Sequence, residues 1–160
     1  MRRVLSLTFA GAFVLAAAAQ AQAQTFTFTA KLSGGNETPA LVLTGAGGTA
    51  TVTLDTTANT VSWVIDVYNL PSGVTAGHIH VGAPGVGGPT LINFTVVAGT
   101  SNDFRISGSA SASDLTARQP QGINSWDDFE QAMLSGDCYV NVHSQANPGG
   151  EIRGPLVLKQ

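Results

Sequence analysis

Between Thr25 and Leu32 the chain alternates without interruption: Phe26, Phe28, Ala30 and Leu32 are apolar, while Thr25, Thr27, Thr29 and Lys31 are polar. A period of two sends successive side chains to opposite faces of a strand, so this stretch predicts a half-buried strand. Ala50, Val52 and Leu54 repeat the pattern, and Val61, Trp63, Ile65 and Val67 repeat it again beyond the turn residues Asp55 to Asn59. These two runs predict an antiparallel hairpin. Ile92, Phe94 and Val96 mark a further strand, and Phe104, Ile106 and Gly108 another. One stretch changes period. Trp126, Phe129, Met133 and Leu134 recur at helical spacing, Ser125 and Asp128 form a capping box, and Gly136 can close the end, which predicts one short helix near 125–135. Asp127 and Asp128 then favour the positive end of the helix dipole rather than forming a catalytic dyad.

Cys138 to Ser144 and Glu151 to Leu158 read as the last two strands, joined by Asn147-Pro148-Gly149-Gly150. Pairing Val142 with Leu156 and Val140 with Leu158 puts Ile152, Leu156 and Leu158 on the apolar face. The same register gathers Tyr139, Asn141, His143, Glu151 and Arg153 on the other. Short strands at regular spacing with a single helix predict an all-β fold, an antiparallel Greek-key β-sandwich or flattened barrel. Neither a repeat nor a linker divides it, so residues 24–160 are expected to form one domain.

The N-terminus changes the picture of where the protein works. Arg2 and Arg3 precede an apolar run from Val4 to Ala19 and an Ala-Gln-Ala repeat, the pattern of a signal peptide over 1–23 with cleavage after Ala21 or Ala23. The expected location is exported, periplasmic or extracellular, with no membrane span after cleavage. Removing Arg2 and Arg3 lowers Lys+Arg from 7 to 5 against 10 Asp+Glu, a side-chain charge of −5. Such a chain repels nucleic acid and anionic lipid. Cys138 is the single cysteine, so no internal disulfide exists, and its alternation with Val140 and Val142 reads as a buried thiol.

Candidate chemistry is concentrated in histidine. The chain has 3, of which His78 and His80 share Gly77-His78-Ile79-His80-Val81, and the other is His143. In a strand His78 and His80 project from one face, and a third imidazole from a neighbouring strand would complete the three-nitrogen set that zinc and copper sites use. His78, His80 and His143 are therefore the candidate metal ligands, for copper or zinc, with Asn141, Glu151 and Arg153 as residues that could orient them. The plainer alternative makes the pair outer-face polar residues bonded to loop carbonyls. The loop from Gly82 to Pro89 is expected to form a rim beside the histidines, and it has no phosphate-cradle pattern. No Gly-x-Ser-x-Gly elbow or metalloprotease helix occurs, and Ser144 points away from His143, its neighbour in the strand. Catalytic residues and an organic cofactor are therefore not assigned.

Three stretches together resemble the CHRD domain, the module named from chordin and found in many bacterial exported proteins. They are Leu32-Ser33-Gly34-Gly35-Asn36-Glu37-Thr38-Pro39, Ala76-Gly77-His78-Ile79-His80-Val81-Gly82, and Tyr139-Val140-Asn141-Val142-His143 running through Asn147-Pro148-Gly149-Gly150-Glu151-Ile152-Arg153-Gly154. The resemblance implies an exported all-β binding module, an antiparallel Greek-key β-sandwich of immunoglobulin-like or superoxide-dismutase-like shape. The cysteine-rich modules that accompany this domain in chordin do not occur here, so only the location and the binding-module class carry over. Three functions follow as expectations. The first is a non-enzymatic binding or structural module of the envelope or extracellular space, with an unknown protein or surface ligand as partner. The second is copper or zinc binding through the three histidines. The third is a zinc hydrolase or hydratase, with the ligand pattern that α-type carbonic anhydrases use. Cu/Zn superoxide dismutase also has a His-x-His on a β-barrel, but this chain has too few histidines for a two-metal site.

Overall fold

The computed structural model describes residues 24–160, and the segment read as a signal peptide lies outside them. The chain forms β1 (Thr25–Ser33), β2 (Gly47–Asp55), β3 (Thr60–Leu70), β4 (Val74–Val81), β5 (Thr90–Asn93) and β6 (Asn102–Ser111). These are followed by α1 (Trp126–Leu134), β7 (Cys138–Ser144), β8 (Ile152–Pro155) and β9 (Val157–Leu158). The expected all-β fold with one short helix is the fold found. Strands pair antiparallel throughout, in the order β5-β4-β7-β8-β1-β2-β3-β6, with β9 beside β1.

This single path folds over on itself into a flattened, nearly closed barrel. Phe28, Leu32, Val52, Leu54, Val61 and Ile65 point inward from one arm, and Ile79, Val140, Val142 and Ile152 from the other. The arms meet where the Trp63 and Phe94 rings pack with centroids 4.5 Å apart. Gly108 lies under Trp63, whose ring comes within 2.8 Å of where a β-carbon on residue 108 would stand, so only glycine leaves room for the ring. The helix is capped as expected: Ser125 Oγ accepts from the Asp128 backbone N–H, and the Asp128 carboxylate accepts from the Ser125 N–H. Its apolar face, Trp126, Phe129 and Met133, closes one side of the core.

The register of the last strands differs from expectation. Val142 pairs with Ile152 and Val140 with Gly154, a slip of four residues from the pairing with Leu156 and Leu158. The cause is a polar knot in the connection. The Glu151 carboxylate accepts from Thr44 Oγ1, Ser144 Oγ and Asn147 Nδ2, and the Glu151 N–H donates to Val142. Because the slip is even, the paired residues of β8 keep the faces the alternation gave them, Ile152 in the core and Arg153 beside Asn141. Pro155, with no N–H, ends β8, and β9 turns away to pair with β1, leaving Leu158 half-exposed instead of in the core.

The outer face of β4, β7 and β8 is not open. Two loops roof it: residues 34–46 after β1, and Gly82 to Pro89. Gly34 begins the first, and a β-carbon there would meet the Val42 carbonyl oxygen at 2.3 Å. Asn36 Nδ2 donates to the Arg153 carbonyl, and Arg153 donates to Thr38 Oγ1 in the first loop and to the Val86 carbonyl in the second. A second buried layer, polar in character, results.

Candidate metal centre

Within that layer the strand register sets a grid. Across β4 and β7, Ala76 faces His143, His78 faces Asn141, and His80 faces Tyr139; across β7 and β8, Asn141 faces Arg153. Because Ile79, Val140 and Val142 take the core, His78, His80 and His143 all project to the roofed face. A β-bulge shifts the β4–β5 register between Ile79 and His80, at the strand position from which His80 projects.

The three rings converge. One ring nitrogen from each lies within 4.8 Å of the others, a triangle whose corners all fall within about 2.8 Å of a common point. Bonds from zinc to imidazole are about 2.0–2.1 Å, so small side-chain rotations close the gap. The Gly88 carbonyl lies 2.9 Å from His80 Nδ1, and the Pro148 carbonyl 2.9 Å from His143 Nδ1. A carbonyl only accepts, so both rings hold their proton on Nδ1 and turn an Nε2 lone pair inward. His78 Nδ1 lies 3.1 Å from His143 Nε2 and donates to it. His80 Nε2 is enclosed with no hydrogen-bond partner.

Electrostatics keeps the cluster neutral. Burial lowers the His78 pKa to about 4, helped by the neighbouring His143 and His80. His80 falls to about 4 chiefly by burial, against the Gly88 bond, with His143, Arg153 and Arg118 adding repulsion. Burial lowers His143 too, partly offset by its bond to Pro148. Near neutral pH all three offer lone pairs, the form that ligates metal.

Beside them Tyr139 stacks on His80, with centroids 4.8 Å apart and planes 10° from parallel. The Arg153 guanidinium lies 3.5 Å over the Tyr139 ring. Tyr139 Oη donates to the same Gly88 carbonyl that holds His80 and accepts from the Gly88 N–H. This is the place of the Gly82 to Pro89 loop: it lies beside the histidines and supplies the anchor of one.

Asn141 and Arg153 share the histidine face, whereas the Glu151 carboxylate turns to Ser144 Oγ, which points away from His143; none of the three is hydrogen-bonded to a ring. Asn141 Nδ2 donates to both carboxylate oxygens of Glu37, at 3.0 and 3.1 Å. Glu151 holds the turn that carries Pro148, and Arg153 reaches His80 only through the Tyr139 ring. Sequence reasoning passed over Glu37 and Tyr139 as parts of this site. Tyr139 was open to the parity that selected His143. Glu37 lies in one of the three stretches that carry the family resemblance, but neither periodicity nor parity ties a turn so far away in sequence to the histidines.

The fold and the site thus define a small all-β domain with three imidazoles gathered in a polar layer under two loops. Residues 28–156 match the CHRD domain, and the chain belongs to that family. No curated protein and no solved structure matches the chain significantly. Family membership makes it a binding or structural module, and among the described residues no helix is long and apolar enough to cross a membrane.

Proposed function

We propose that this CHRD domain is an exported, non-enzymatic binding module whose ligand is a copper or zinc ion held by His78, His80 and His143. The observation that carries the reading is the convergence of three neutral imidazoles with one ligand nitrogen each within 4.8 Å. Two of them are pre-oriented by backbone carbonyls, and His80 Nε2 is buried without a partner. A buried acceptor without a donor is costly, and a metal ion relieves it. Imidazole donors without thiolate suit copper and zinc, with copper the tighter by the Irving–Williams order. The Gly88 and Pro148 carbonyls play the outer-shell role that fixes ring orientation in metal sites. Export is supported by the N-terminal sequence, Arg2 and Arg3 before an apolar run.

Titration calorimetry of the tag-free chain tests this. One equivalent of copper or zinc should bind and raise the melting temperature, and His80→Ala and His143→Ala should each abolish the shift. Equal shifts in wild type and both variants would refute it.

A further inference from the structure

Two acceptor atoms, not one, are enclosed beside the histidines without a donor: His80 Nε2 and Asn141 Oδ1. Asn141 Nδ2 faces both oxygens of the Glu37 carboxyl group, so with Glu37 ionised turning the amide over would set oxygen against oxygen. Asn141 is only 4% exposed, so bulk water does not serve its oxygen.

Its surroundings point to the histidines. Asn141 is paired with His78 across β4 and β7, and His143 follows it two residues along the same face. Glu37 comes from the turn that packs against β8, and its Oε2 lies 2.7 Å from where a β-carbon on Gly150 would stand. With the amide nitrogen committed to Glu37, Oδ1 has no donor of its own, and the ring-bearing neighbours of Asn141 on this face are His78 and His143. An asparagine arm is shorter than an imidazole arm, so its oxygen stops short of a metal held by the ring nitrogens.

We infer that Asn141 Oδ1 accepts a hydrogen bond from a water molecule bound at the fourth position of the metal, with Glu37 locking the amide in that sense. The inference rests on the metal-binding reading. It makes the centre an open one, with three protein nitrogens and one exchangeable oxygen ligand, the arrangement in which zinc and copper sites admit a small molecule. Asn141 and Glu37 are positioning residues there, acting on the bound water and not on the metal.

The test loads the full chain with Cu(II) and measures water-proton relaxation across field strengths, alongside nitrogen hyperfine structure and affinity. Wild type should hold one copper on three imidazoles with an exchangeable water in its coordination sphere. Asn141→Leu should keep the three-nitrogen hyperfine pattern, lose the ordered-water contribution and bind copper about 10–100-fold more weakly, the usual effect of removing an outer-shell partner. Glu37→Gln, whose side chain can face either end of the amide, should lose part of the same contribution. Wild-type relaxation and affinity in Asn141→Leu would overturn the inference and leave the metal site standing. Should Asn141→Leu not fold, unchanged relaxation in Glu37→Gln would overturn it. Absence of copper uptake by wild type would overturn both readings.

Discussion

His78 Nδ1 and His143 Nε2, from adjacent strands and separated by 65 residues in sequence, lie 3.1 Å apart. With His143 Nδ1 committed to the Pro148 carbonyl, the proton between them belongs to His78. A metal at this point must displace that proton to His78 Nε2, which is not among the buried unpartnered atoms and so can bond water. Long-range nitrogen–proton NMR of the rings should show all three histidines as Nδ1–H tautomers without metal. Zinc should convert His78 alone to Nε2–H, and an unchanged His78 would mean that its Nδ1 is not a ligand.

The metal-free domain should lose stability as pH falls below about 6.5. In the unfolded chain His78 and His80 take up protons near pH 6.5, whereas in the fold they do so only at about 4. Between these values the unfolded state binds more protons, so stability falls as pH drops from about 6.5 to 4. Glu37 acts oppositely. Burial raises its carboxyl from 4.5 to about 7, against the Asn141 bond and the Arg153 charge, so the fold holds a proton the unfolded chain releases and stability falls as pH rises through that window. The histidines outweigh the one carboxyl on the acid side, and near neutral pH the two effects offset each other. Denaturant unfolding across pH should show stability falling from about pH 6.5 towards 4, and Glu37→Gln should steepen that fall because the opposing carboxyl is gone.

Glu151→Gln should destabilise the domain and impair the site. The Glu151 carboxylate is fully buried and accepts from Thr44, Ser144 and Asn147, which hold its pKa below the usual value although burial alone would raise it. An amide there sets a donor against donors, at a cost of about 1–3 kcal/mol or more. It also loosens the turn that places the Pro148 carbonyl on His143. Urea unfolding and metal affinity should both move; stability loss with unchanged affinity would separate the turn from the site.

Trp63→Ala should cost about 3–5 kcal/mol by opening a cavity between Phe94 and Gly108. Thr51→Ala, on the exposed side of β2, should have little effect. Comparable shifts in their unfolding midpoints would contradict the assignment of inner and outer faces.

Cys138 is fully buried, and burial pushes its thiol up to about 12. A thiol reagent should modify it at the rate of unfolding and not before. Rapid labelling of native protein would show an opening of β7 absent from this fold.

Side-chain parity was legible in the sequence because it is local. Alternation in β1, β2 and β3 identified the core residues, and the change of period at Trp126 identified the helix. The same parity put His78, His80 and His143 on the face opposite Ile79, Val140 and Val142, and it survived a register slip of four residues because the slip was even. Which strands lie side by side is not local. Placing β7 between β4 and β8 is settled by burial summed over the whole barrel, and that placement brings His143 to His78. The roof over the site is likewise a tertiary product. Glu37 reaches it across a long stretch of chain and Gly88 returns from the loop after β4, through hydrogen bonds that leave no periodic trace, and the outcome is a partly buried, neutral cluster of three histidines.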